Sequence, residues 1–131
     1  MKNHIGRMII LVNDYEEASN FYEKNFGFKR IYDVTTDVGQ RFLQIGTDEP
    51  NSTGLWFIKA DGKHQRDNVG KQTNGQPAMV IYTSSFDDLY QQIKGNNVII
   101  NVAPVNTPDY KYFHCLDLYG NEIIIVELKA S

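Results

Sequence analysis

Apolar and polar positions alternate in two registers along this chain, and the same order of registers occurs twice. Met8 to Val12 is a continuous apolar run rich in β-branched residues, too short for a helix, and predicts a buried strand. Asp14 follows as a helix N-cap with Glu17 in the capping-box position, and Ala18, Phe21, Tyr22 and Phe26 form one apolar stripe at helical spacing. Gly27 supplies a left-handed stop. Three strands are then predicted at about 29–35, 41–46 and 54–59, separated by the turn-forming segments 37–39 and 48–51.

The second half repeats this order. Ala78 to Thr83 reads as a strand, and Ser85 opens a second capping box before the stripe Phe86, Leu89, Tyr90 and Ile93. Gly95 is expected to close that helix. Strands at about 98–102, 111–116 and 122–128 complete it, the last two joined by Asp117-Leu118-Tyr119-Gly120-Asn121. Between the halves, 60–76 has hardly an apolar residue and is expected to be a mobile linker. The chain is therefore read as an α+β fold made of two βαβββ modules, one over about 5–59 and the other over about 77–128, in a single domain. Such a repeat is expected to enclose a cavity between its halves.

Composition narrows the partners. With 13 basic and 16 acidic side chains and no Lys/Arg cluster along one predicted face, the chain lacks the electrostatic footprint of a nucleic-acid binder. Apolar runs fall well short of the roughly 20 residues needed to cross a bilayer, so no membrane partner is expected. The N-terminal segment lacks a signal-type apolar region, and Cys115 is the single cysteine, so no internal disulfide can form. These features fit the reducing cytoplasm.

Val12-Asn13-Asp14 leading to Phe21-Tyr22 and Phe26-Gly27-Phe28, together with Asp117-x-x-Gly120-Asn121 before an apolar terminal strand, resembles the vicinal-oxygen-chelate superfamily. That superfamily includes glyoxalase I, bleomycin-resistance proteins, fosfomycin-resistance enzymes and extradiol dioxygenases. The resemblance spans nearly the whole chain and implies paired modules forming a cup-shaped mixed sheet, commonly completed by dimerisation. It further implies a divalent metal held by inward-facing His, Gln or Glu side chains. The corresponding positions here are Arg7, a residue at or near Phe57, one near Ala78, and Ile124. None of these side chains has a lone pair suited to a metal. No metal and no cofactor are expected.

The residues expected to line the cup are Arg7, Trp56 or Phe57, Tyr82, Tyr112 and His114; Tyr112, His114 and Leu116 share one side of their strand by the period of two. Aromatic walls with one cationic fork suit a flat ligand bearing an anionic group. Each residue also has a plainer reading. Arg7 fits a solvated strand start, His114 a buried ring bonded to a carbonyl, and the tyrosines fit sheet packing. Cys115 alternates with His114 and is expected to face away as a small buried hydrophobe.

Three functions follow. The first is metal-free binding of a small aromatic or anionic molecule by a homodimer, as in the bleomycin-resistance type. The second is a glyoxalase-like lyase or isomerase, with His114 as catalytic acid/base and Arg7 stabilising an anion. The third is an interaction surface with no ligand.

Overall fold

In the computed structural model, which describes residues 2–130, the chain divides into two units, the first ending at Val69 and the second beginning at Gly70. Each is a four-stranded mixed sheet with a helix against one face.

In the first unit, β1 (Arg7–Val12) runs parallel to β4 (Gly54–Lys59), and β3 (Arg41–Gly46) and β2 (Lys29–Thr35) continue the sheet antiparallel, in the order β1-β4-β3-β2. Helix α1 (Tyr15–Phe26) begins where the Asp14 carboxylate accepts from the backbone N–H groups of Glu16 and Glu17, at 2.7 and 3.1 Å. It ends at Gly27, whose φ of 69° is the left-handed conformation read from sequence. Its buried seam is Ala18, Ser19, Tyr22 and Asn25 rather than the all-apolar stripe. The two polar members are tolerated because Ser19 Oγ donates to Glu23 and Asn25 Nδ2 donates to the Phe21 carbonyl. Tyr22 meets Phe57 across the core, joined by Ile10, Val12, Leu43 and Ile45.

The second unit repeats the topology. β5 (Met79–Tyr82) runs parallel to β8 (Glu122–Leu128), and β7 (Tyr110–Leu116) and β6 (Ile100–Asn106) extend the sheet antiparallel, in the order β5-β8-β7-β6. Helix α3 (Phe86–Gly95) places Phe86, Tyr90 and Ile93 over the core of Phe113, Cys115, Ile123 and Ile125. The β7–β8 turn is organised by Asp117, whose Oδ1 accepts from the N–H groups of Tyr119 and Asn121 while Gly120 takes a φ of 91°.

Local readings are corrected in four places. Ser85 makes no side-chain cap on α3, because its backbone (φ −135°, ψ 54°) is not in cap geometry; Glu127 Oε1 accepts from Phe86 N–H instead, at 3.1 Å. Gly95 is the last residue of α3 rather than its stop, and Asn97 makes the left-handed step at φ 61°. That displaces β6 to Ile100–Asn106, an edge strand whose bulges accommodate Pro104. The segment read as a linker contains α2 (Gly62–Asp67) and the buried Val69, so it is not featureless.

Candidate functional site

The helix covers one face of each sheet, so residues of opposite parity line the other. On the first unit that open face carries Arg7, Ile9, Phe42, Gln44, Trp56 and Ile58, because Arg7 registers with Gly54, Ile9 with Trp56, and Gln44 with Trp56. Arg7 lies flat there for a local reason: a Cβ on Gly54 would stand 3.3 Å from its Cδ and 2.6 Å from the Ile45 carbonyl oxygen. Arg7 Nε donates to Gln44 Oε1 at 2.8 Å and Nη1 to the Gly6 carbonyl, leaving the other terminal nitrogen for an external acceptor. Trp56 meets Phe42 at 5.7 Å between centroids. The indole N–H has no partner among the described residues. Since no buried side-chain nitrogen or oxygen among them lacks a partner, that N–H is within reach of solvent. Arg7 also borders a polar cavity of about 560 Å³ formed with His4, Ile31, Thr47 and Ser52.

Phe57, offered from sequence as the alternative to Trp56, is corrected. It has no solvent exposure and lies against Tyr22 on the helix face, with 5.7 Å between rings. The run Leu55-Trp56-Phe57-Ile58 is apolar on both faces and so gave no alternation to choose by.

On the second unit the open face carries Val80, Tyr82, Tyr112, His114, Glu122 and Ile124, since His114 registers with Ile124, Tyr112 with Val126, and Val80 with Ile124. Tyr110, Tyr112 and His114 form a ladder of rings at successive outward positions of β7, with centroids 5.8 and 5.7 Å apart. Tyr82 stands at the end of edge strand β5, 68% exposed, beside a cavity of about 440 Å³ shared with Thr83, Ser84 and Leu128. Cys115 faces the core, where burial pushes its thiol up to about 12.

Glu122 escaped the sequence reading and proves central. Its Oε2 lies 2.6 Å from His114 Nδ1 and also accepts from Asn101 Nδ2 at 3.0 Å. The hydrogen bond from His114 holds the Glu122 carboxyl below its ordinary range, aided by Asn101. The carboxylate accepts from Nδ1–H, so the neutral ring carries its lone pair on Nε2. Nε2 has no hydrogen-bond partner among the described residues and, by the same reasoning as for Trp56, is within reach of solvent. The signal for Glu122 was the hairpin register about the Asp117 turn, which sets it diagonally across from His114.

A family-type metal centre does not fit these residues. Arg7 and Ile124 occupy two of the implied ligand positions, and the open-face residues around the other two are Trp56, Ile58, Ala78 and Val80. Guanidinium and indole groups only donate hydrogen bonds and the aliphatic side chains offer no lone pair. Among the described residues no three His, Cys, Asp or Glu side chains gather closely enough to share an ion.

Comparison with known proteins places this geometry in a family. The model of the Glyoxalase/Bleomycin resistance protein/Dioxygenase superfamily matches residues 3–125. An uncharacterised protein of Shewanella frigidimarina (strain NCIMB 400) is 28% identical over 123 residues, covering 92% of this chain and 90% of its own. Among solved structures, UcmS2 superposes with a TM-score of 0.80 at 23% identity, covering 96% of this chain and 98% of its own. TnmS3, an antibiotic binding protein from Streptomyces sp. CB03234, superposes with a TM-score of 0.77 at 22% identity, covering 97% of both chains. The chain belongs to the glyoxalase/bleomycin resistance protein/dioxygenase superfamily.

Proposed function

We propose that this protein binds a small, flat, aromatic molecule bearing an anionic group, without the metal of its catalytic relatives. The observation that carries the reading is the character of the open sheet faces. On the first unit they combine aromatic rings with donors that have no partner among the described residues, the Trp56 N–H and a terminal nitrogen of Arg7. A purely structural face would satisfy or omit such groups. The antibiotic-binding activity of TnmS3 supports the same reading. Exposed apolar residues on these faces, among them Ile9, Val34 and Val80, and the edge strands β1 and β5 fit a homodimer. The single cysteine fits a cytoplasmic location.

Trp56 is the sole tryptophan, so its fluorescence reports on the Arg7 face directly. Quenching by a panel of aromatic carboxylates and phosphates is expected to saturate and to persist in a chelator. Arg7→Ala should weaken an anionic ligand about tenfold, the loss of roughly one charge-assisted hydrogen bond. Failure of every panel member on a verified dimer, or a stoichiometric divalent ion that binding requires, would refute the proposal.

A second reading is favoured by the short His114–Glu122 contact. A histidine oriented by a carboxylate is equipped for proton transfer, which gives a glyoxalase-like lyase or isomerase with His114 as acid/base. In that case His114→Ala would lower turnover of a hemithioacetal substrate by about 100-fold or more.

A further inference from the structure

We infer that the open face of the second unit selects planar aromatics carrying a neutral ring hydroxyl, with His114 Nε2 accepting that hydroxyl's hydrogen and Glu122 acting as its positioning residue. The inference rests on the binding reading above and names the ligand class at this face.

Three observations converge. The rings of Tyr110, Tyr112 and His114 follow one another along β7 at near-equal spacing, tilted by 37° and 49° between neighbours, so that a fused bicyclic ring system spans about one step of the ladder. With the imidazole neutral the platform ends in an acceptor, because Nδ1–H is engaged by Glu122 and the lone pair then lies on Nε2, within reach of solvent. Two donors converge on the same oxygen of Glu122, from Asn101 and His114, so the carboxylate is pinned and the imidazole tautomer is fixed before any ligand arrives.

Charge then chooses the ligand group. Glu122 brings a negative charge to the imidazole, which disfavours a ligand carboxylate placed beside it and favours a neutral donor. A phenolic hydroxyl meets that requirement: it donates to Nε2 while its ring lies along the tyrosines. A methyl ether in the same place cannot donate at all.

The test compares 2-naphthol with 2-methoxynaphthalene, which share the ring system and differ in the donor. Titrated against the full chain by calorimetry, 2-naphthol is expected to bind about tenfold more tightly, the worth of one hydrogen bond at the upper end of the usual range. His114→Phe keeps a ring at the end of the platform and removes the acceptor, so the two ligands should then bind within about twofold of each other. Glu122→Gln keeps an acceptor for Nδ1–H and should retain part of the preference. In the unmodified protein, nitrogen NMR should show the Nε2 resonance shifting on addition of 2-naphthol and staying put with the ether, a readout that does not depend on any variant folding. Equal binding of the two ligands, or a preference that survives His114→Phe, overturns this inference and leaves the binding reading standing. If neither naphthalene binds while aromatic anions quench Trp56, the inference falls alone; if nothing binds, both fall.

Discussion

Cys115 and His114 are neighbours on β7 with opposite chemistry, because alternate residues of a strand face opposite ways. Burial raises the Cys115 thiol to about 12, with a smaller contribution from Asp117, so at pH 8 only about one thiolate in ten thousand forms. Native protein treated with a disulfide-exchange reagent at that pH is therefore expected to stay unmodified, and to react fully once denatured, as absorbance of the released thiol would show. Rapid native labelling would contradict the assigned strand parity. Parity was legible from sequence wherever polar and apolar residues alternate, as in Tyr112-Phe113-His114-Cys115, and it placed His114 with Tyr112. It was illegible in β4, apolar on both faces, where only the position of α1 separates Phe57 from Trp56.

Helix starts show how an element is completed by distant residues. Asp14 caps α1 through bonds two and three residues away, so the sequence sufficed. For α3 the local candidate Ser85 fails, and its place is taken by Glu127, 41 residues on from Phe86, which also lies 3.6 Å from Lys111. Glu127→Ala should accordingly destabilise the protein by about 1 kcal/mol, a drop of roughly 4 °C in melting temperature, while Ser85→Ala should cost less than about 0.5 kcal/mol. Thermal melts followed by circular dichroism check both. The reverse ranking would mean that Ser85 caps the helix in solution. The same dependence on a partner strand explains why Glu122 was overlooked: a lone glutamate at a strand start reads as a solvated residue until the hairpin register brings it to His114.

At the scale of the whole molecule, acid should be the chief ionic threat to stability. Glu16 and Asp33 are held below their ordinary ranges by hydrogen bonds, Glu16 from Arg30 and Arg41 and Asp33 from Arg41, and Glu122 is lowered by His114. Each binds protons less readily folded than unfolded. Their contribution is therefore complete above the ordinary carboxylate range, near 4.5 for glutamate, and is lost as pH falls through the depressed values. The melting temperature is expected to fall below about pH 4.5, and to fall less steeply in Arg41→Met, in which Asp33 and Glu16 lose Arg41 and keep only Arg30. An identical acid limb in the two proteins would show that the Arg41 pairs contribute nothing to the decline. The sequence by itself determined the repeated βαβββ order, the α1 caps, the Asp117 turn and the residue types at the family's ligand positions, because each is written in local spacing or in side-chain identity. Only the tertiary structure decided which face Trp56 and Phe57 take, which carboxylate caps α3, and that His114 is oriented by Glu122. Those depend on pairings between strands and helices far apart in the chain, and no local pattern encodes them.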